Sequence, residues 1–142
     1  MKVMALAVLL LITLTSCQTI EISALEAKAV QAAEAFIVRN GYVAAGHPKD
    51  LPVQHVEIFD GFASDAELIE QRKGELRPSA IGIEHKDEGV YWVYFATIGR
   101  PNHPRIVVVK DGKAWQLFHQ SYGPPGPQMK RIPRGDVSRT RS

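Results

Sequence analysis

The chain has little of what marks a disulfide-stapled, membrane-spanning or nucleic-acid-binding protein. It contains one cysteine, Cys17, so no disulfide can form within the chain. Its 17 Lys and Arg residues nearly balance its 15 Asp and Glu residues, so no global field would attract nucleic acid. The apolar run from Val3 to Leu14 is shorter than the ~20 residues that a membrane-spanning helix needs. We therefore expect one nearly neutral domain, without disulfides and without a nucleic-acid partner.

Residue types that carry catalysis are present, but they do not form known motifs. None of the five histidines lies three or four residues from another or beside the cysteine, so no metal-ligand spacing is seen. The Gly-x-Ser-x-Gly pattern of hydrolases is absent. The glycines between Gly123 and Pro127 alternate with prolines, which lack the free N–H groups of a phosphate-binding loop. The sequence predicts no metal, no cofactor and no catalytic nucleophile.

Two weaker catalytic candidates involve histidine. His55 and Glu57 share one face of a predicted strand, and such a pair in a concave apolar pocket could do general acid–base work. A cross-strand ion pair at the rim of the sheet explains the same pattern. His119 follows Trp115 and Leu117 at two-residue steps. It is either a hydrogen-bonded core histidine or a residue at a mouth of the domain.

The strongest motif lies near the N-terminus. Lys2 precedes the apolar run, and Leu14-Thr15-Ser16-Cys17 ends it, which is typical of an export signal with small residues before a cleavage site. These four residues resemble the lipobox of bacterial lipoproteins. The resemblance implies cleavage between Ser16 and Cys17, and attachment of fatty acyl chains such as palmitate to Cys17. An ordinary cleaved signal peptide, with an incidental cysteine, is the alternative.

The lipobox also implies a location in the cell. Two or more acyl chains anchor a protein stably, whereas a single chain binds reversibly. In the lipobox pattern, Asp after the cysteine retains a lipoprotein in the inner membrane. Gln18 occupies that position here, which favours the outer membrane, facing the periplasm. The first expected partner is therefore the membrane, reached through acyl chains on Cys17.

The chain is expected to have four parts. They are an export signal at 1–16, a tether at 17–22, an α+β domain at 23–122 and a tail at 123–142. The tail is rich in proline and has no hydrophobic periodicity, which predicts disorder. It carries five basic residues that could bind lipid headgroups or another anionic envelope polymer, although a solvating tail without a binding role is also consistent with them: Lys130, Arg131, Arg134, Arg139 and Arg141.

Caps and periodicity predict two helices. Ser23 and Glu26 form a capping box, and apolar residues then recur at three- and four-residue steps as far as Asn40-Gly41. That dipeptide is a typical helix stop. Ser64 begins a second, shorter helix with the same capping pattern.

Alternation and turn residues predict five strands. Asp111-Gly112 predicts a tight hairpin turn between the last two. The segment that begins at Val90 is apolar on both faces and should lie centrally in the sheet. The strands are expected at 53–59, 79–85, 90–98, 105–110 and 113–120.

This order of elements resembles the cystatin-like and nuclear-transport-factor-like rolls over about residues 23–122. The resemblance implies an α+β fold, with two helices packed on a curved, mainly antiparallel sheet of about five strands. Residues 35–42, which end in Asn40-Gly41-Tyr42, and residues 68–73, which contain Gln71-Arg72, resemble a group of uncharacterised small bacterial envelope proteins. Some proteins with the roll fold are toxin immunity proteins, but a fold does not by itself assign a function.

The sequence predicts a lipid-anchored envelope protein that acts by binding rather than by catalysis. The first hypothesis is a small interaction module whose partner is an envelope protein or an anionic envelope polymer. The second is an immunity or inhibitor protein against an envelope-acting toxin or hydrolase. The third is a roll-fold enzyme that uses His119 or the His55/Glu57 pair.

Overall fold

The computed structural model describes residues 21–61, 64–119 and 128–133. The predicted export signal, Ser16, Cys17, and the basic residues Arg134, Arg139 and Arg141 lie outside these ranges. None of the helices in the described ranges is both long and apolar enough to span a bilayer. Two helices and five strands follow one another along the chain: α1 (Ala24–Arg39), α2 (Asp65–Arg72), β1 (Leu76–Asp87), β2 (Val90–Thr97), β3 (Arg100–Lys110), β4 (Lys113–His119) and β5 (Lys130–Arg131).

The predicted caps of α1 are confirmed. The Ser23 hydroxyl accepts a hydrogen bond from the Glu26 backbone N–H at 3.2 Å, and the Ser23 N–H donates to the Glu26 carboxylate at 3.1 Å. After α1, Gly41 has a φ of +83°. A Cβ atom at Gly41 would lie 3.0 Å from Cγ1 of Ile69 in α2. Glycine at this position therefore ends α1 and lets α2 pack closely against its end.

The five strands form one antiparallel sheet in the order β4-β3-β2-β1-β5. Asp111 and Gly112, with φ of 49° and 77°, form the predicted type I′ turn between β3 and β4. Register shifts interrupt the pairing of β1 with β2, β2 with β3 and β3 with β4, and such bulges bend a sheet. The predicted α+β class, two helices on a curved antiparallel sheet, is confirmed, and β2 is the middle strand.

Helix α1 packs against one face of the sheet. Its alanines allow the helix backbone to approach the strands closely. Alternate residues of β2, Val93 and Phe95, face the helix, whereas Trp92 and Tyr94 lie on the opposite face. The buried core includes Ala29, Ala33, Phe36 and Ile37 of α1, with Ile83, Val93, Phe95, Val107, Val109 and Leu117 of the sheet.

The predicted strand at 53–59 is wrong. These residues form no ladder with the sheet. Side chains bind their backbone instead: the Asn40 Oδ1 accepts hydrogen bonds from the N–H groups of Gln54 and His55, both at 2.8 Å, and Asp65 accepts one from Val53 at 3.2 Å. The alternation in this segment comes from side chains that point alternately into the domain and outward, which a strand and an anchored loop share.

The predicted disorder of the tail is wrong for residues 128–133, and the domain does not end at 122. β5 pairs with β1, with Arg131 opposite Gly82, and the Ile132 N–H donates to the Ile81 carbonyl at 3.0 Å. A Cβ atom at Gly82 would lie 2.5 Å from Sδ of Met129, so this glycine makes room for the methionine. The fifth strand of the sheet therefore comes from the tail rather than from residues 53–59.

Two strands begin earlier than predicted. β1 begins at Leu76 rather than at residue 79, and β3 begins at Arg100 rather than at residue 105. Pro78, Pro101 and Pro104 lie within these strands. Proline lowers the expectation of a strand because it cannot donate to the ladder, but it is accepted near strand starts and bulges.

Candidate functional site

Two buried arginines enclose Tyr42 beside the end of α1. Arg72 and Arg105 are each 2% exposed. Their guanidinium carbons lie 4.6 Å and 5.5 Å from the centre of the Tyr42 ring, within the range of cation–π contacts. Three carboxylates pair with the two arginines. We call the whole group the arginine cluster: Tyr42, Arg72, Arg105, Glu57, Asp60 and Glu75.

Two groups of this cluster, Glu57 and Tyr42, have shifted pKa values. Arg105 pairs with both Glu57 and Glu75, and the Tyr42 hydroxyl donates to Oε1 of Glu57 at 3.2 Å. Burial by itself raises the pKa of Glu57. The neighbouring His55 ring and the Arg105 charge lower it by more, so the pKa is about 2. Burial raises the pKa of Tyr42 well above its ordinary value. At neutral pH the carboxylate is therefore ionised and the phenol remains a donor.

The structure brings the predicted His55/Glu57 pair together but gives it an anchoring role. Nε2 of His55 lies 3.8 Å from Oε1 of Glu57, which is too long for a hydrogen bond. That oxygen already accepts from Tyr42 and Arg105. The His55 ring packs against Phe36, with 5.5 Å between ring centres. Both side chains therefore hold residues 53–61 against the domain.

The same contacts form a turn that presents two apolar side chains. The Asp60 N–H donates to the Glu57 carbonyl at 3.1 Å, and the Glu57 N–H donates to the Asp60 carboxylate at 2.9 Å. Arg72 and Arg105 hold these two carboxylates from inside. We call residues 57–60 the anchored turn. Between its two acidic residues, Ile58 is 94% exposed and Phe59 is 93% exposed.

His119 lies at a cleft and not in the core. The irregular pairing of β4 near Val109 leaves Trp115 exposed while Leu117 is buried, so the two-residue step did not predict one common face. Burial and the nearby charge of Arg105 lower the pKa of His119, so its ring is neutral at pH 7. The cleft has a volume of about 370 Å³ and is lined by Glu75, Thr97, Ile98, Arg100, His103 and His119.

Lys130 and Arg131, the two basic tail residues that the structure describes, have different surroundings. Nζ of Lys130 lies 2.8 Å from the Glu26 carboxylate, which is buried at the start of α1. Burial raises the pKa of Glu26, but Lys130 and the Ser23 N–H lower it more, so the net shift is downward. Lys130 is therefore engaged in an ion pair within the domain. Arg131 instead lines a second cleft, described below.

The arginine cluster was not predicted, but two segments of the sequence meet in it. They are the segment that ends in Asn40-Gly41-Tyr42 and the one that contains Gln71-Arg72. Nη1 of Arg72 donates to the Asn40 carbonyl at 3.2 Å and its guanidinium lies over Tyr42. These residues therefore have a structural role, since they hold the loop that follows α1. The residues of the cluster could have been found only from the burial of the two arginines, and burial cannot be read from the sequence.

Within the described ranges, no three His, Cys, Asp or Glu side chains are grouped closely enough to hold a metal ion. Comparison of the chain with protein-family models, with curated proteins and with solved structures found no match.

Proposed function

We propose that the protein is a lipid-anchored component of the bacterial cell envelope that binds another envelope protein through the anchored turn. The lipobox at Leu14-Thr15-Ser16-Cys17 supports the location, with Gln18 favouring the outer membrane. The observation that carries the binding role is the exposure of Ile58 and Phe59 on a turn whose two carboxylates are held by buried arginines.

Ile58 and Phe59 are neighbouring apolar side chains that remain exposed. Full burial of one Ile or Phe side chain is worth about 1.5–3 kcal/mol, and Ile58 and Phe59 forgo nearly all of it in the free protein. Single exposed apolar residues are ordinary on protein surfaces. Two adjacent ones on a turn that is already ordered are typical of a contact for a partner, because little conformational entropy remains to be lost on binding.

The contacts of the turn favour binding over catalysis. The carboxylates of the turn pair with arginines on its inner side. Its outer side presents the apolar side chains of Ile58 and Phe59. Aromatic side chains are enriched in the cores of protein interfaces. An envelope protein with an apolar pocket would fit this turn.

Fractionation tests the anchor. Cys17→Ser should move the protein out of the membrane fraction and block processing, because the acyl chains need the thiol. Ser16→Ala is the matched control, since it keeps a small residue before the cleavage site and should leave membrane association unchanged. Unchanged membrane association of Cys17→Ser would contradict a lipid anchor.

Site-specific photo-crosslinking in intact envelopes tests the turn. A photoreactive residue at position 59 should give a discrete protein adduct, and the adduct should disappear when Ile58→Ser is added. The control places the same residue at Glu88, in the exposed turn between β1 and β2. Ile58→Ser should change the free energy of unfolding by less than about 0.5 kcal/mol, because the side chain is exposed. Equal labelling from positions 59 and 88 would contradict a docking role.

A further inference from the structure

A second cleft combines an apolar floor with two arginines. It has a volume of about 650 Å³, within the range of small-molecule sites. The start of β1, the end of β2, the start of β3 and the segment around β5 form its walls. Its apolar lining comes from Ile81, Ala96, Ile98, Pro101 and Ile132.

The charges of the cleft have one sign. Arg77 and Arg131 line it, and no acidic side chain of the described ranges does. Neither arginine forms an ion pair with another residue that the structure describes. Arg72 and Arg105, by contrast, have carboxylate partners. Both arginines are exposed, so their guanidinium groups can be reached by a ligand.

We propose that this cleft binds a small anionic amphiphile, with a phosphate or carboxylate head group at Arg77 and Arg131 and a hydrocarbon body on the apolar floor. The planar guanidinium fork matches the oxygens of either head group and can bind them in bidentate fashion. The hydrocarbon gains about 0.8 kcal/mol for each methylene that it buries on the floor. A free inorganic anion would use only the arginines, and a neutral amphiphile only the floor.

Segment 128–133 supplies one wall of the site. Arg131 and Ile132 reach the cleft because β5 pairs with β1. The cleft shares no lining residue with the anchored turn. The proposal is therefore independent of the proposed docking of an envelope protein, and either can fail alone.

Calorimetric titration tests this site with three probes: decyl phosphate below its micelle concentration, inorganic phosphate and decanol. The protein is the chain from residue 17 onward, with Cys17→Ser. Decyl phosphate should bind at one site, at least tenfold more tightly than either of the other probes. Arg77→Gln and Arg131→Gln should each weaken its binding about tenfold or more, the scale of a lost charged hydrogen bond.

Two further variants keep the test specific. Lys110→Gln removes the same charge at the opposite end of β3 and should leave the affinity for decyl phosphate unchanged. Ile98→Ser should weaken decyl phosphate but not inorganic phosphate. Equal affinity for decyl phosphate and decanol, equal affinity for decyl phosphate and inorganic phosphate, or the same loss in Lys110→Gln would overturn the proposal. Tighter binding of a short acidic apolar peptide than of decyl phosphate would overturn the ligand class.

Discussion

Residues 53–61 and residues 128–133 are held to the same domain by different forces. The first segment has no regular structure, and its backbone and acidic side chains are bound by Asn40, Arg72 and Arg105. The second segment pairs its backbone with β1 and packs Met129 over Gly82. One segment depends on charged side chains, and the other depends on a strand ladder and apolar contact.

The difference decides what each segment can present to a partner. The first segment is held by two partly buried carboxylates, so the two side chains between them, Ile58 and Phe59, remain free to point outward. The second segment alternates across the ladder, with Lys130 directed to Glu26 and Arg131 to a cleft. The ionic anchor should also respond to pH, since it requires ionised carboxylates.

The largest effect is expected from breaking the ionic anchor. Arg105→Ala leaves Glu57 and Glu75 without their common cation and should cost about 3 kcal/mol of unfolding free energy, measured by chemical denaturation. Arg100→Ala, at an exposed arginine of the same strand, is the control and should cost less than about 0.5 kcal/mol. An equal loss in the two variants would contradict the anchoring role of Arg105.

Acid should weaken the ionic anchor as well. The pKa of Glu57 is lowered from 4.5 to about 2 on folding, so the folded state binds fewer protons in this range. The stabilisation is present above about pH 4.5 and is lost as the pH falls toward 2, by roughly 2–3 kcal/mol. Denaturation series at several pH values should show this loss, and Glu57→Gln should reduce it. An identical pH profile for Glu57→Gln would contradict the assignment to Glu57.

Truncation tests the second segment. A chain that ends after Pro127 loses β5, Met129 and Ile132, and should be less stable by about 2 kcal/mol, the value of two partly buried apolar side chains. A chain that ends after Pro133 keeps these contacts and should match the full chain in chemical denaturation. The chain that ends after Pro127 should still lose stability between pH 4.5 and 2, since Glu57 remains. Equal stability of the two truncated chains would show that β5 contributes nothing.

The smallest effect concerns Gly82, and its sign should depend on the second segment. In the full chain, Gly82→Ala should cost about 1 kcal/mol, because the new methyl group would meet Met129. In the chain that ends after Pro127, the same substitution should be neutral or stabilising, because alanine loses less backbone entropy than glycine in a strand. The same sign in both backgrounds, measured by thermal unfolding, would contradict the packing of Met129 on this glycine.

The sequence predicted the parts of the fold that depend on near neighbours. The capping box at Ser23, the stop at Asn40-Gly41 and the turn at Asp111-Gly112 were all found as expected. Each involves residues within four positions of one another, so the relevant interaction lies inside the pattern that is read. The same reading failed at 53–59, because a loop whose side chains alternate inward and outward has the pattern of a strand.

The candidate site was much less predictable than the fold. His55 and Glu57 were noted as a pair, but the residue that determines the state of Glu57 is Arg105, 48 positions away. Arg72 likewise contacts the Asn40 carbonyl from 32 positions away. Nothing in a single sequence indicates which of its 17 basic residues will be buried.

The sequence by itself determined the ends of α1, the hairpin between β3 and β4, and the α+β class of the fold, because short-range sterics and hydrogen bonds act within a few residues. The tertiary structure alone decided that residues 128–133 complete the sheet, that Arg72 and Arg105 are buried around Tyr42, and that Ile58 and Phe59 point outward. These outcomes depend on which distant segments meet, and on the desolvation and charge pairing that follow from that meeting.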